Sequence, residues 1–205
     1  MNAFELLEQS PVMPVIVIKD LDTAVDLAQA LVAGGIRSLE ITLRSETALE
    51  AIRIIRRDVP QALVGVGTVR NPAQLEAAVR AGARFAVSPG LTPALAQAAR
   101  AAGVPFLPGV ATASESMYAA DQGFTAQKLF PAEAAGGTRL LKALHGPLPD
   151  IVFCPTGGIN AANARQYLDL PNVSCVGGSW LTPESAVAAR QWDAITGLAR
   201  QACAL

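Results

Sequence analysis

The chain has 205 residues, of which 51% are hydrophobic and 16% charged, and its formal net charge is −1. That is enough apolar chain to bury one sizeable core, which argues against disorder and makes a single domain spanning 1–205 the expectation. No Lys/Arg stripe is present and no apolar run approaches the ~18 residues that span a bilayer, so nucleic acid and membrane are not expected partners.

The opening stretch MNAFELLEQS carries Glu5 and Glu8 where a signal peptide would be basic, so a cytoplasmic protein with a short N-terminal helix is expected. The first β-branched run is PVMPVIVI (11–18), followed by Leu21, Ala24, Val25, Ala28, Leu31 and Val32 at the three- and four-residue spacing of one helix face. SLEITL (38–43) comes next, then a second helical face of Ala48, Ile52, Ile55 and Val59. The remaining runs are ALVGVGT (62–68), RFAVSPG (84–90), PFLPGV (105–110), TAQKLFP (125–131), IVFCPTGG (151–158) and VSCVGGS (173–179). Gly35, Gly82, Gly103 and Gly123 each stand between a helical segment and the next run and read as left-handed helix stops. Eight strand–helix units predict an α/β protein of the (β/α)₈ TIM-barrel class, near that fold's lower length limit of about 200 residues. An open doubly wound sheet is the rival, but a Rossmann sheet would carry a glycine fingerprint after its first strand, and PVMPVIVIKDLD has no glycine.

In a barrel the chemistry sits at the C-terminal strand ends. Along LEITLR, Leu39, Ile41 and Leu43 alternate with Glu40, Thr42 and Arg44, so the strand period sends the polar trio to one face and Glu40 and Arg44 toward the barrel mouth. In TAQKLFP, Lys128 shares its parity with Ala126 and Phe130, and Pro131 ends the strand. Thr68 closes a glycine-bearing turn, and the pairs Gly157/Gly158 and Gly177/Gly178 can bring backbone N–H groups up to an anion after the last two strands. Each feature also has an ordinary reading: a snorkelling lysine, a Glu40–Arg44 ion pair, plain turns. The chain has only Lys19, Lys128 and Lys142, however, so a lysine at a strand end is not its usual way of carrying charge.

A lysine at the rim of an apolar barrel suits Schiff-base catalysis on a carbonyl. Desolvation favours its free amine, a neighbouring carboxylate opposes that, and the same carboxylate can move protons once an imine exists. Metal-dependent enolate chemistry wants His or clustered carboxylates. The lone His145 lies at an apparent helix end, so no metal or cofactor is expected. Cys154, Cys175 and Cys203 lack CxxC spacing and read as buried free thiols.

The stretches PVIVIKDLDTAVDLAQALVAGGIRSLEITLRS, VGVGTVRNPAQL, FAVSPGLTPAL, PFLPGVATASE, KLFPAE, FCPTGGI and GGSWL follow in order along most of the chain. With them the chain resembles the 2-keto-3-deoxy-6-phosphogluconate (KDPG) aldolases, class I lyases of the Entner–Doudoroff pathway. The resemblance implies cleavage of a phosphorylated keto-acid to pyruvate and glyceraldehyde 3-phosphate without metal. By position, Lys128 matches the Schiff-base lysine and Glu40 the general acid/base. Arg44 and Thr68 match groups that hold the pyruvate carboxylate, and Pro89 and Phe130 match residues around the pyruvyl unit. Gly157, Gly158 and Ser179, with Gly178 beside them, match the phosphate site. Thr156 matches the residue type of the gluconate enzyme, where relatives acting on the galactonate epimer tend to be apolar. Leu129 stands where some relatives have phenylalanine, on the face turned from the pocket. The resemblance further implies a homotrimer, and it leaves 4-hydroxy-2-oxoglutarate (KHG) and the galactonate epimer as alternative substrates.

Overall fold

All eight apolar runs become strand in the computed structural model, which describes residues 1–205. Seven runs give one strand each and the fifth gives two. The strands are β1 (Val12–Ile16), β2 (Ser38–Thr42), β3 (Leu63–Gly67), β4 (Ala86–Val87), β5 (Phe106–Leu107), β6 (Gly109–Val110), β7 (Ala126–Leu129), β8 (Val152–Phe153) and β9 (Val176–Gly178). The break in the fifth run falls at Pro108, which has no N–H to give to a ladder. There the segment passes its pairing from β4 on one side to β7 on the other.

Every pairing is parallel, in a six-stranded sheet ordered β5-β4-β3-β2-β1-β9 and a three-stranded sheet ordered β6-β7-β8. Parallel neighbours need long crossovers. These are supplied by α2 (Ala24–Ala33), α3 (Ala48–Asp58), α4 (Pro72–Arg80), α5 (Pro93–Ala101), α6 (Ala113–Asp121), α7 (Ala132–Ala135), α8 (Gly137–His145) and α9 (Ala164–Leu168), while α1 (Ala3–Leu7) precedes β1 and α10 (Glu184–Ala188) and α11 (Trp192–Cys203) follow β9. The molecule is therefore an α/β fold of parallel sheets. Beyond the named strands, parallel bridges join Phe153 to Val173 and Thr156 to Gly177, between the segments carrying β8 and β9.

Local chemistry starts and stops the helices. Asn71, Thr92 and Thr112 each cap a helix by accepting an N–H from its first turn, and Glu115 completes a capping box with Thr112. Gly35, Gly82, Gly103 and Gly123 all take positive φ, between 69° and 101°, as helix stops should. No helix is long and apolar enough to cross a membrane.

The alternation of each strand divides the core in two. One side chain set, including Leu39, Ile41, Val64 and Val66, packs with helix residues such as Leu31, Ile52 and Ile55 in a cluster of 47 buried residues. The opposite set forms a smaller cluster: Met13, Phe85, Val87, Leu107, Ala126, Cys154 and Cys175, with Leu6 and Leu7 of α1 packed onto it. The expected N-terminal helix thus has a structural task, to cover the apolar layer at one end of the inner strand faces.

Candidate active site

Glu40 is held by the alternation of β2. Leu39 and Ile41 are fully buried among helix residues, which turns Glu40 and Thr42 to the other face. The Thr42 hydroxyl donates to the Ile16 carbonyl at 2.9 Å, and the Glu40 side chain lies over Gly67 of β3. A Cβ at Gly67 would stand 2.1 Å from Glu40 Oε1 and 2.6 Å from its Cγ, so only glycine leaves room for this carboxylate.

Lys128 is held by the alternation of β7. On one side Gln127 uses its whole amide against α6 and its exit. Its oxygen accepts from the Ser116 hydroxyl at 2.6 Å, and its nitrogen donates to the carbonyls of Ser116 at 2.9 Å and Phe124 at 2.8 Å. Leu129 joins the same outer layer, as its parity requires. Lys128 therefore points inward, its backbone N–H donating to Pro108 O at 2.8 Å.

The two inward side chains meet. Lys128 Nζ donates to Glu40 Oε1 at 3.3 Å, and the residues are 5% and 2% exposed. A charge pair this deep is costly to desolvate and strongly destabilising to break one-sidedly. The Phe130 ring lies 5.4 Å from the ammonium, within cation–π range. Lys19, by contrast, is an exposed surface lysine paired with Glu184 at 2.6 Å, and Lys142 is exposed.

Around this pair stand the other expected residues. Thr68 follows β3 half-buried with φ 61°, a left-handed backbone that a β-branched residue rarely adopts and that costs on the order of 1–3 kcal/mol. Pro89 follows β4 half-buried, and its backbone packs so closely on Gly109 that a Cβ there would come within 2.3 Å. Thr156 is 6% exposed, its N–H donates to Leu129 O at 2.9 Å, and it bridges to Gly177, so β7, β8 and β9 deliver Lys128, Thr156 and Gly178 to the same end of the sheets. Gly157 and Gly158 are both left-handed, at φ 103° and 82°. Their N–H groups, and that of exposed Ser179 after β9, donate to no other backbone group.

Arg44 departs from the expectation. β2 stops at Thr42, its last ladder bond being Leu43 N–H to Gly67 O at 2.9 Å, and Arg44 lies in the following turn, exposed. It does not share the strand face of Glu40, and Glu40 pairs with Lys128 instead. A cleft of ≈ 530 Å³ adjoins the site between the end of β1 and α10; it includes Val15 and Ser179 but neither Lys128 nor Glu40.

The three cysteines are free, as expected, but only two are buried. The Cys175 thiol donates to Cys154 Sγ at 3.3 Å, and both the bond and burial push it well above its ordinary value, with the Glu40 charge adding to the shift. Cys203 is half-buried in α11, and burial also pushes its thiol up. His145 ends α8, half-buried, with Nδ1 unpartnered. The clearance at Gly67 and the Gln127 clamp escape sequence reasoning. The only trace of the first is the GVG spacing in a strand, and of the second a glutamine inside an apolar run.

Known proteins are similar to this chain across nearly its whole length. The family model for KDPG and KHG aldolase matches residues 4–198. A 2-dehydro-3-deoxy-phosphogluconate aldolase of Pseudoalteromonas atlantica is 54% identical over 98% of this chain and 93% of its own. A KHG/KDPG aldolase of Escherichia coli is 53% identical over 98% and 94%. The crystal structure of the KDPG aldolase of Legionella pneumophila, with pyruvate captured as a covalent carbinolamine intermediate, superposes with a TM-score of 0.97 at 48% identity, covering 99% of this chain and 98% of that one. The chain belongs to the KDPG and KHG aldolase family, whose members are class I, Schiff-base carbon–carbon lyases.

Proposed function

We infer that the protein cleaves KDPG to pyruvate and glyceraldehyde 3-phosphate, with Lys128 as nucleophile and Glu40 as proton shuttle. The observation that carries this is the buried 3.3 Å contact between Lys128 Nζ and Glu40 Oε1. Transfer of one ammonium proton across it leaves an amine free to add to the C2 ketone, forming a carbinolamine, and places the proton where the departing water needs it. The resulting iminium draws the C3–C4 bonding electrons to itself as the C4 hydroxyl loses its proton. Glyceraldehyde 3-phosphate leaves and an enamine remains on Lys128. Protonation of the enamine at C3 and hydrolysis release pyruvate and regenerate the amine. The covalent carbinolamine of the Legionella pneumophila enzyme supports the same route here.

Arg44 and Thr68 are assigned to the pyruvate carboxylate, and Pro89 and Phe130 to the walls of the pyruvyl pocket. The polar Thr156 faces C4, and the open N–H groups of Gly157, Gly158 and Ser179, beside Gly178, take the 6-phosphate. The Escherichia coli relative is named for both KHG and KDPG, which makes 4-hydroxy-2-oxoglutarate the natural comparison substrate. The bridge from Thr156 to Gly177 supports closure of the two sheets into one (β/α)₈ barrel spanning 1–205 as a single domain. A homotrimer acting in the cytoplasm completes the reading. Its test is borohydride reduction in the presence of pyruvate, followed by peptide mass spectrometry. The pyruvyl adduct is expected on Lys128, with turnover unchanged by EDTA. An adduct on Lys19 or Lys142 instead would refute the assignment.

A further inference from the structure

The glycine turn after β8 is exposed at Gly158, so core packing alone does not fix its shape. Asn163 Nδ2 donates to Gly158 O at 3.1 Å on one side, and α7 holds the turn from behind. Glu133, the second residue of α7, donates its backbone N–H to Gly157 O at 3.1 Å, while Ala132 N–H donates to Thr156 O at 2.8 Å. The Glu133 methylenes fill the place where a Gly158 side chain would go, since a Cβ there would come 2.5 Å from Glu133 Cγ and 2.7 Å from its Cβ. The Glu133 carboxylate then accepts a hydrogen bond from the hydroxyl of Tyr167 in α9, a residue 1% exposed. An exposed glutamate is ordinarily a free rotor; this one is fixed at its backbone, its stem and its head.

We propose that Glu133, anchored by Tyr167, is a positioning residue that sets the Gly157–Gly158 turn for the substrate phosphate, and thereby the preference for phosphorylated over non-phosphorylated keto-acids. The inference rests on the reading of that turn as the phosphate site. Burial and the bond to Glu133 push the Tyr167 hydroxyl far above its ordinary value, so it stays a proton donor at any working pH. Behind the strut lies a hollow of ≈ 240 Å³, lined by Glu133, Thr138, Arg139, Gln166 and Tyr167 among others. Since the carboxylate carries the charge of the substrate's own phosphate, its contribution is geometric, and a neutral amide of the same shape should serve.

The test compares KDPG with 4-hydroxy-2-oxoglutarate in Tyr167→Phe, Glu133→Ala and Glu133→Gln. Loss of one hydrogen bond to a charged acceptor should raise KM for KDPG on the order of tenfold in the first two variants. KM for 4-hydroxy-2-oxoglutarate and borohydride trapping of pyruvate on Lys128 should stay unchanged, which also certifies folding. Glu133→Gln should restore KM for KDPG. Equal losses on both substrates, no loss on either, or a Gln variant as impaired as the Ala variant would each overturn the proposal. Gly158→Val separates the two levels: if it too affects both substrates equally, the turn is not the phosphate site. If it is selective and Tyr167→Phe is not, only the strut fails.

Discussion

Glu40 and Lys128 stand 88 residues apart in the chain and 3.3 Å apart in space, and nearly all of the proposed chemistry depends on that contact. Strand parity made the inward placement of each legible, because Leu39 and Ile41 on one strand and Leu129 on the other are apolar enough to claim the outer layer, but not their pairing, since the sequence offers Arg44 as the ion-pair partner of Glu40. Arg44 was not legible in this way, since parity says nothing once a strand has ended, and its strand ends at Thr42. Its exposure makes it a clean probe of binding. A guanidinium offers a carboxylate a fixed two-pronged donor that an ammonium cannot reproduce. Arg44→Lys should leave thermal stability unchanged and lower kcat/KM by about 1.5–3 kcal/mol, the range for hydrogen bonds to charged groups. Steady-state kinetics beside a thermal melt checks this; a variant with native kinetics would return Arg44 to an ordinary surface role.

At the scale of elements, each strand needs an inward residue of the right size at the right level. β3 meets this with Gly67, and the next residue, Thr68, accepts a left-handed backbone at φ 61°. Neither feature shows in propensities, which count the glycine as a weakness in a strand and rate threonine among the residues least suited to that conformation. The fifth run was legible as a strand, but its division at Pro108 was not, because only the pairing of β5 with β4 and of β6 with β7 shows that the segment changes neighbours there. The requirement at Gly67 can be tested directly. Gly67→Ala places a methyl 2.1 Å from Glu40 Oε1, too close for any real contact, so the carboxylate must leave its position beside Lys128. Loss of a placed general acid/base lowers turnover by roughly 10²–10⁴-fold, and kcat for KDPG should fall within that range while circular dichroism remains native. A Gly67→Ala variant with unchanged kcat would show that Glu40 can act from elsewhere.

At the scale of the molecule, the inner layer beneath the site is closed by Leu6 and Leu7 from α1 and by the thiols of Cys154 and Cys175 from adjacent segments. The apolar flanks of these cysteines made their burial legible; their mutual contact, set by strand neighbours 21 residues apart, was not. The contact links stability to pH. The hydrogen bond to Cys154 and burial hold the Cys175 thiol protonated well above its ordinary value of 9.0. On unfolding it would regain ordinary acidity. Below about pH 9 both states keep the proton, and the stabilisation is fully present. As pH rises past that point the unfolded chain releases a proton that the folded chain retains, so the stability of the fold must decline. Chemical denaturation between about pH 8 and about pH 10.5 should therefore show an alkaline fall in unfolding free energy. Cys203, pushed up by burial, contributes to the same fall. Cys175→Ala, although less stable near neutrality by on the order of 1 kcal/mol for the lost packing, should show a slope shallower by close to one proton. Parallel slopes for the two proteins would mean that the buried thiol ionises alike in both states and that the Cys154–Cys175 contact does not govern alkaline stability.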